Sequence, residues 1–491
     1  NKTDGYYIQV GNSETEKVPD HYENVKTLKN AERYTIPELN ERERQIFRLE
    51  ERRYDRERTI FEKLREDWIN YKDDNNLYDF HEMLEHAYRA NELPPTDVVI
   101  IDEYHDTTPA MDRLSRKWLD AADTAIVAGD PLQVVNAYQG ASPEFYKQID
   151  LDEILLPKSW RVPEEHWDIA TETLENAHEA PPIEIGDSEG RIDEITTDGR
   201  YEYNEYSKEW STPTTNGAAE LVEKYGRDIM FLTRTKMQGY GLMQELKRSG
   251  IIYRAQQGLG GWQHAPKRRE LYNVLQKITG LSVADFGGAR GLGDFSEGDN
   301  DKSPKRVSLT SDEAARILDH AKASTLAQSR GETDKIVGEL EDRDAPLLAT
   351  DFDDYVKEDF WRIYTQGPSA VNSLIGMKDD SAQILRRALE RNNKPIDSTT
   401  VLPYIMTIHA SKGSEAETVV LYDGVTDNVH EGMHRDPETR KNEWRTWYVA
   451  LTRASERLHI MRDAFEWTTP FLPTGLLDAV REFGRNESEV S

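Results

Sequence analysis

Cysteine is absent from the 491 residues, which excludes a disulfide framework, a thiolate zinc site and a cysteine nucleophile. Apolar runs approaching the ~20 residues of a membrane helix are absent too, and residues 1–10 lack the basic and then apolar pattern of a signal peptide. We therefore expect a soluble, cytoplasmic protein with no membrane partner. At about 150 residues per domain, the length predicts roughly three domains.

Positive charge is scarce, since 62 Lys and Arg residues stand against 92 Asp and Glu residues, giving a net charge of −30. The acidic residues are spread along the chain, and Arg outnumbers Lys. This pattern is typical of halophilic proteins from archaea or their viruses, with ordinary acidic solubility as the alternative. The charge disfavours nucleic-acid binding at low salt, but the objection weakens in molar salt, where the Debye length is about 3 Å.

Short apolar runs alternate with stretches of helical periodicity, which indicates an α/β protein with parallel sheets. Residues 1–35 are polar and predict irregular structure, and residues 36–90 predict a long helix or a helical pair. Residues 258–310 are rich in glycine and predict a loop or linker, whereas residues 311–400 return to helical spacing. Four apolar runs predict buried parallel strands, at residues 97–103, 125–130, 228–233 and 417–422.

Five segments carry the residue types that nucleotide and nucleic-acid chemistry requires. They read IDEYHDT at 101–107, GDPLQVVNAYQGA at 129–141, LPKSWR at 156–161, TIHASKGSE at 407–415 and WYVALTRA at 447–454. Asp102 at a strand end can hold Mg²⁺, and Glu103 beside it can orient or deprotonate a water. Taken singly, each segment has an ordinary structural interpretation, such as a solvated strand end, a core histidine or a helix-capping arginine.

Taken together and in this order, the segments resemble the UvrD/Rep-like helicases of superfamily 1A. In chain order they resemble motifs II, III, IV, V and VI of that family, and residues 77–84, 231–235 and 250–253 resemble further family segments. The resemblance covers residues 77–260 and 400–465. It implies an α/β fold with two RecA-like parallel-sheet cores, the first incomplete, and helical insertions.

The resemblance also implies a division of the chain. Its parts are a helical 1B-like segment at 1–90, a partial first RecA-like core at 91–160, a second RecA-like core in two pieces at 161–255 and 401–491, and a mostly helical 2B-like insertion at 256–400. The insertion is shorter than the family's usual one, and the second piece of the second core includes the C-terminal tail.

ATP and Mg²⁺ are the cofactors that the resemblance implies. Asp102 would hold the metal, Glu103 would activate the attacking water, and Glu415 would contact the nucleotide sugar. Arg161 and Arg453 would reach the γ-phosphate. The chemistry agrees with this assignment, because phosphoryl transfer depends on positioning and charge neutralisation more than on covalent chemistry.

Single-stranded DNA and single-strand/duplex junctions are the implied partners, and the implied activity is 3′→5′ helicase or translocase activity driven by ATP. Tyr138 would stack on a base, since every base has an apolar face. Thr407, His409 and Lys412 would contact the strand, and Gln133 would couple the γ-phosphate to these DNA contacts.

One family element is missing, because the sequence contains no G-x-x-x-x-G-K-[ST] phosphate loop and no Gly-Lys dipeptide. The family places this loop ahead of residues 79–80, so we expect about 100 or more family residues to be missing at the front. This absence argues against autonomous ATP hydrolysis. It leaves open a fragment, the C-terminal half of a split helicase whose phosphate loop lies on a separate chain, or a non-hydrolysing DNA-binding subunit of a helicase–nuclease complex. His105, Asn136 and Gln139 also differ from the usual family residues.

Overall fold

The computed structural model describes residues 8–476 apart from short gaps. The gaps are residues 20–21, 91–92, 176–177, 179–182, 187, 263–264, 285–308, 343–345, 348–351, 353, 378–380 and 393. The chain divides into two compact units, one of Asn1–Val99 with Ala110–Thr124 and the other of Ile100–Pro109 with Ala125–Ser491. Among the described residues, no helix has the length and apolar character needed to cross a membrane.

A three-stranded antiparallel sheet opens the first unit. Its strands are β1 (Ile8–Gly11), β2 (Glu23–Thr27) and β3 (Ala31–Thr35), and β3 lies in the centre. The prediction that residues 1–35 are irregular is therefore wrong for these strands. Ala31, Tyr34 and Thr35 are buried on β3, whereas every residue of β2 is exposed. Backbone pairing holds such polar strands together, and it leaves little hydrophobic signal in the sequence.

Two helices follow and confirm the prediction for residues 36–90. They are α1 (Pro37–Asn75) and α2 (Phe80–Ala90). Pro37 occupies the first turn, where a missing N–H costs nothing, and α1 ends where Asn76 adopts the left-handed conformation at φ 53°. The buried Lys72 ammonium joins the helices by pairing with Asp79 at 2.9 Å and with Glu82 at 2.5 Å.

Two further predicted strands form, but only Val99 of their residues is buried. They are β4 (Val98–Ile101) and β5 (Thr124–Val127), and helix α3 (Pro109–Ala121) lies between them in the chain. The two strands pair with each other in a two-stranded sheet. Ile100 is 66% exposed and Ile126 is 48% exposed. The prediction of a strand is confirmed in both places, and the prediction of burial is wrong.

A six-stranded parallel sheet forms the core of the second unit, which confirms the α/β class and is consistent with a RecA-like fold. Its order is β12 (Arg254–Ala255), β15 (Tyr404–Thr407), β11 (Ile229–Thr233), β16 (Ala416–Tyr422), β17 (Ala454–Arg462) and β8 (Arg191–Thr196). Alternate residues of β11 point to opposite faces. Ile229 and Phe231 pack into one apolar cluster, and Met230 and Leu232 pack into another. Both faces are therefore covered, as parallel sheets require.

Helices cover this sheet and form the insertion that interrupts it. They are α4 (Pro143–Lys147), α5 (Glu164–Glu175), α6 (Ala218–Tyr225), α7 (Lys236–Arg248), α8 (Pro266–Ala284), α9 (Ser311–His320), α10 (Arg330–Glu341), α11 (Arg362–Gln366), α12 (Val371–Leu374), α13 (Ser381–Arg391), α14 (Asp427–Arg435) and α15 (Pro437–Leu451). The remaining strands form three pairs, β6 (Lys158–Ser159) with β7 (Glu184–Ile185), β9 (Tyr203–Asn204) with β10 (Glu209–Trp210), and β13 (Leu309–Thr310) with β14 (Pro346–Leu347).

The helical prediction for residues 311–400 is confirmed by α9, α10 and α13. The loop prediction for residues 258–310 is wrong over α8, which buries Leu271, Leu275 and Ile278 at helical spacing. The glycine-rich residues 285–308 lie outside the described part of the chain.

Candidate functional site

An acidic loop follows β4, within the second unit. Asp102 is exposed, and its carboxylate accepts the backbone N–H of Glu103 at 2.8 Å. Glu103 adopts the left-handed backbone conformation at φ 55°, which costs a residue with a side chain about 1–3 kcal/mol. Strain of this kind persists where the surrounding structure enforces it, and it marks the loop as a candidate site.

The Lys412 ammonium lies among the acids of this loop. It donates to Asp106 Oδ2 at 2.6 Å, lies 3.1 Å from Glu103 Oε2 and contacts His105 Nε2. Glu103, His105 and Asp106 place metal-ligating atoms within 4.8 Å of one another. The side chain of Lys412 is only 11% exposed, so the charge of the acids is compensated by a cation of the protein itself.

His105 joins the acidic loop to the segment that follows β5. Its Nδ1 accepts the backbone N–H of Asp130 at 2.9 Å, and its Nε2 lies 3.1 Å from Glu103 Oε2 and faces the Lys412 ammonium. Burial, together with the Lys412 charge, lowers the pKa of His105. The carboxylate of Asp130 in turn accepts the side-chain amide of Gln133 at 2.8 Å, which connects Gln133 to Glu103 through Asp130 and the His105 ring.

Two arginines lie close to the acidic loop. Arg453 precedes β17 and Glu415 precedes β16, and the backbone N–H of Ala416 donates to the Arg453 carbonyl at 3.2 Å. Arg453 is 1% exposed, and burial with repulsion from Arg161 lowers its pKa to about 10. The Nε atom of Arg161 makes no hydrogen bond, and the carboxylate of Glu415 is 3.7 Å away. The negative charges of Glu103 and Glu415 partly offset this lowering of the Arg453 pKa.

A second group of predicted residues lies at the carboxyl ends of β15 and β11, where Thr407 is opposite Thr233. The ring of Tyr138 is 74% exposed and packs edge-on to the ring of His409, with centroids 6.2 Å apart. Burial, together with the Arg234 charge, lowers the pKa of His409 to about 4, so this ring is neutral at physiological pH. Thr407 is buried and donates its backbone N–H to the side-chain oxygen of Gln256 at 2.5 Å.

Arg234 and Glu443 support this second group and were missed by the sequence reasoning. The guanidinium of Arg234 binds the carboxylate of Glu443 through two contacts, at 2.7 and 2.9 Å. Trp447 also donates its ring N–H to Glu443, at 3.0 Å. Arg234 and Glu443 are 209 residues apart, and such a pair leaves no local signal in a sequence.

The structure therefore brings the predicted site residues into two neighbouring groups within one unit. Glu103, Arg161, Glu415 and Arg453 form the first, and Asp102 adjoins it in the chain. Tyr138, Thr407 and His409 belong to the second. Gln133 belongs to neither group and donates to Asp130, and Lys412 donates to Asp106 of the acidic loop. Lys412 lies with the acidic loop, whereas the sequence prediction placed it on the DNA.

A comparison with known families matches the carboxyl-terminal part of the chain. Residues 373–463 match the model of the UvrD-like helicase C-terminal domain. The match includes Thr407, His409, Lys412, Glu415 and Arg453, and it supports part of the predicted resemblance to UvrD/Rep-like helicases.

The amino-terminal residues match a different family. Residues 1–52 match the model of MutS family domain IV. Among the similar proteins is DNA mismatch repair protein MutS 1 of Haloarcula marismortui, 65% identical over 65 residues, which are 13% of this chain and 7% of that protein. MutS 1 of Halobacterium salinarum is 57% identical over 70 residues, and MutS of Thermus thermophilus is 50% identical over 62 residues, each covering 13% of this chain and 8% of the relative. The chain thus spans less than a tenth of the curated relatives it matches, and the sequence reasoning did not foresee this similarity.

Proposed function

We propose that this chain is part of an ATP-dependent 3′→5′ DNA helicase or translocase of the UvrD type. The observation that carries the proposal is that contacts join four distant segments around Glu415. Lys412 pairs with Glu103, the backbone N–H of Ala416 donates to the Arg453 carbonyl, and Arg161 Nε lies 3.7 Å from the Glu415 carboxylate. The match of residues 373–463 to the UvrD-like helicase C-terminal domain supports the same family. Single-stranded DNA and its junctions with duplex are the proposed partners.

The residues of the first group fit a nucleotide phosphate. Arg161 and Arg453 repel each other, and Arg161 Nε has no hydrogen-bond acceptor, so an anion between them would relieve repulsion and supply that acceptor. The exposed carboxylate of Asp102 fits Mg²⁺, which prefers oxygen ligands. Bound MgATP would supply the phosphoryl group that is transferred. In this proposal Glu103 orients the water and accepts its proton, and the arginines neutralise phosphate charge.

The second group fits a nucleic-acid strand. Tyr138 presents an exposed aromatic ring, and base–aromatic stacking contributes about 1–3 kcal/mol per base. The adjacent His409 is neutral, so it can contact a base or sugar without adding charge. We propose that the strand follows Tyr138, His409 and Thr407. The named relatives of residues 1–52 are mismatch repair proteins, and we propose that this segment adds a further DNA contact.

A second candidate function is a subunit that binds DNA without hydrolysing ATP unaided. One observation favours it. The strands β4 and β5 leave the apolar side chains of Ile100 and Ile126 exposed, and exposed apolar patches of this kind mark surfaces that bind another protein. A separate chain that carries the phosphate loop and packs on these strands would complete the motor.

Binding of a fluorescent ATP analogue with Mg²⁺ and ATP turnover, each with and without oligo(dT), test these proposals. We expect Arg161→Gln to weaken nucleotide binding more than tenfold, because it removes a charged phosphate contact. The matched control is Arg435→Gln, an exposed arginine that pairs only with Glu431 one helical turn away among its described contacts. Arg161 is 38% exposed, so its replacement is compatible with folding.

The outcomes separate the two candidates. Turnover that oligo(dT) stimulates and Glu103→Gln abolishes would establish a motor. Nucleotide and DNA binding without turnover would favour the incomplete motor or the non-hydrolysing subunit. Equal nucleotide binding by Arg161→Gln and Arg435→Gln would contradict the proposed phosphate site.

A further inference from the structure

Two histidines lie one turn apart on α14, outside both groups of proposed site residues. The sequence reads HEGMH at 430–434. Positions four residues apart lie on the same face of a helix, one above the other. The ring centroids of His430 and His434 are accordingly 4.5 Å apart, with an angle of 46° between the ring planes. Two histidines spaced as H-E-x-x-H on a helix are a metal-binding pattern, because both rings can reach one ion.

The hydrogen bond of His434 leaves one of its ring nitrogens available to a metal. Its Nδ1 lies 2.8 Å from the backbone carbonyl oxygen of His430. A carbonyl oxygen can only accept, so Nδ1 carries the proton and the neutral ring has its lone pair on Nε2. Metal-binding histidines usually donate their other N–H in this way, since the bond orients the ring and increases its basicity. His434 is therefore already in the form that binds a metal.

The fold holds the pair in place and leaves it accessible. Val429 and Met433, which precede the two histidines in the chain, pack against an apolar cluster of the second unit. This packing fixes α14, so the adjacent rings need little rearrangement to share an ion. His434 is exposed and His430 is half-buried, which allows an ion to approach from solvent. His434 also lies in the last turn of α14, where the helix dipole favours positive charge.

The number of ligands decides which ion and which chemistry fit. Among the described residues, only Glu103, His105 and Asp106 bring three metal-ligating atoms within 4.8 Å of one another, so α14 supplies two ligands. Glu431 on the same helix is exposed and pairs with Arg435. Two imidazoles with water in the remaining positions suit a divalent transition metal ion, whereas Mg²⁺ prefers oxygen ligands. Catalytic zinc sites have three protein ligands, so α14 fits metal binding and not hydrolysis.

We propose that His430 and His434 bind one divalent transition metal ion of the class of Zn²⁺, Ni²⁺ and Cu²⁺. The bound ion links two successive turns of α14 and so opposes fraying of the end of the helix. The chain contains no cysteine, so no thiolate competes for the ion. The inference is independent of the proposed function, because it requires neither nucleotide nor DNA.

Equilibrium dialysis of the full chain against Ni²⁺ or Zn²⁺ measures the affinity, with excess Mg²⁺ present to occupy carboxylate sites. We expect His430→Gln and His434→Gln each to weaken binding by about tenfold or more. Loss of a mere hydrogen-bond partner of a metal ligand already costs about 10–100-fold, and these variants lose the ligand itself. The matched control His81→Gln removes an exposed histidine of α2 that has no histidine four residues away, and it should leave the affinity unchanged.

A double variant separates chelation from the mere presence of two histidines. His434→Arg combined with Arg435→His keeps the composition but moves the second ring from the fourth to the fifth residue after His430, away from the shared face. We expect its affinity to be as low as that of His434→Gln. Amide hydrogen exchange over residues 427–435 gives a second readout, since saturating Zn²⁺ should slow it in the wild type and not in the double variant. Exchange without metal shows whether α14 still forms in each variant.

Two outcomes overturn the inference. Equal Ni²⁺ and Zn²⁺ affinities in the wild type, His434→Gln and the double variant would show that the ions bind elsewhere on the chain. Unchanged exchange over residues 427–435 in the wild type at saturating Zn²⁺ would show that no ion links the two turns. Neither outcome bears on ATP turnover or on oligo(dT) binding, so the proposed function stands or falls separately.

Discussion

Gly129 leaves no room for a side chain beside the acidic loop. A Cβ atom on this residue would lie 3.0 Å from His105 Nδ1 and 3.2 Å from the ring of Tyr146. We expect Gly129→Ala to lower the free energy of unfolding by about 1–3 kcal/mol, because the His105 ring must move and lose the N–H of Asp130. Urea denaturation followed by tryptophan fluorescence measures this change.

The control for Gly129→Ala is a glycine with open space around it. Gly338 lies inside α10, and a Cβ there would have no atom within 4 Å. Alanine favours helix over glycine by up to about 1 kcal/mol, so Gly338→Ala should raise the stability. The same glycine-to-alanine change is then expected to lower the free energy of unfolding at position 129 and to raise it at position 338. A stabilising Gly129→Ala would show that the His105 ring is not confined as described.

At the scale of elements, the start of α6 depends on a carboxylate supplied by α7. Glu245 accepts the backbone N–H groups of Ala218 and Ala219, each at 3.0 Å, and the hydroxyl of Tyr201. Gly217 makes room for it, since a Cβ there would lie 2.4 Å from the Glu245 carboxylate. A negative charge at a helix amino terminus is favourable, although burial raises the pKa of Glu245.

We expect Glu245→Ala to destabilise the second unit by about 2–4 kcal/mol, because the N–H of Ala219 and the buried hydroxyl of Tyr201 lose their acceptor, and the N–H of Ala218 keeps only the Tyr201 hydroxyl. Glu245→Gln should cost less, since its amide oxygen can still accept. The control Glu339→Ala, at an exposed position on α10, should change stability by less than about 0.5 kcal/mol. Thermal unfolding followed by circular dichroism gives the comparison, and an equal effect of Glu245→Ala and Glu339→Ala would refute the capping role.

Sequence patterns predicted elements better than they predicted burial or partners. The apolar runs of β11 and β16 were recognised because a strand covered on both faces must be continuously apolar. The polar strands β1 to β3 were missed because backbone pairing leaves no such run. The strand β4 was recognised, but its burial was not predictable, since burial depends on which other elements cover it.

The candidate site was predictable in residue type but not in pairing. The order of the segments and their residue patterns identified Glu103, Arg161 and Arg453 as candidate site residues, and the roles of these residues remain predictions. The partners of Lys412 were not predictable, because it meets Asp106 across 306 residues of chain. Long-range pairing of this kind follows from the fold and not from local sequence, and the same reason explains why the salt bridge of Arg234 with Glu443 was overlooked.

At the scale of the whole molecule, the net charge of −30 opposes compaction. Excess like charge repels over the Debye length, which is about 10 Å at 0.1 M salt and about 3 Å at 1 M. Salt also weakens exposed ion pairs such as Lys17 with Glu14, but each of these contributes about 0–1 kcal/mol. Added salt should therefore stabilise the protein, because the relief of repulsion between like charges outweighs the loss of exposed ion pairs.

We expect the thermal midpoint to rise by about 2–3 °C between 0.1 and 2 M KCl, equivalent to roughly 2–3 kcal/mol, because a protein of this size loses about 1 kcal/mol of stability per degree near its midpoint. Screening changes most at low salt, so most of the rise should be complete by about 0.5 M. Differential scanning calorimetry over a KCl series measures it, with sucrose as an uncharged control that stabilises by exclusion from the protein surface. A midpoint that is flat below 0.5 M and rises only at higher concentration would assign the effect to solute exclusion, because charge screening is nearly complete by that point.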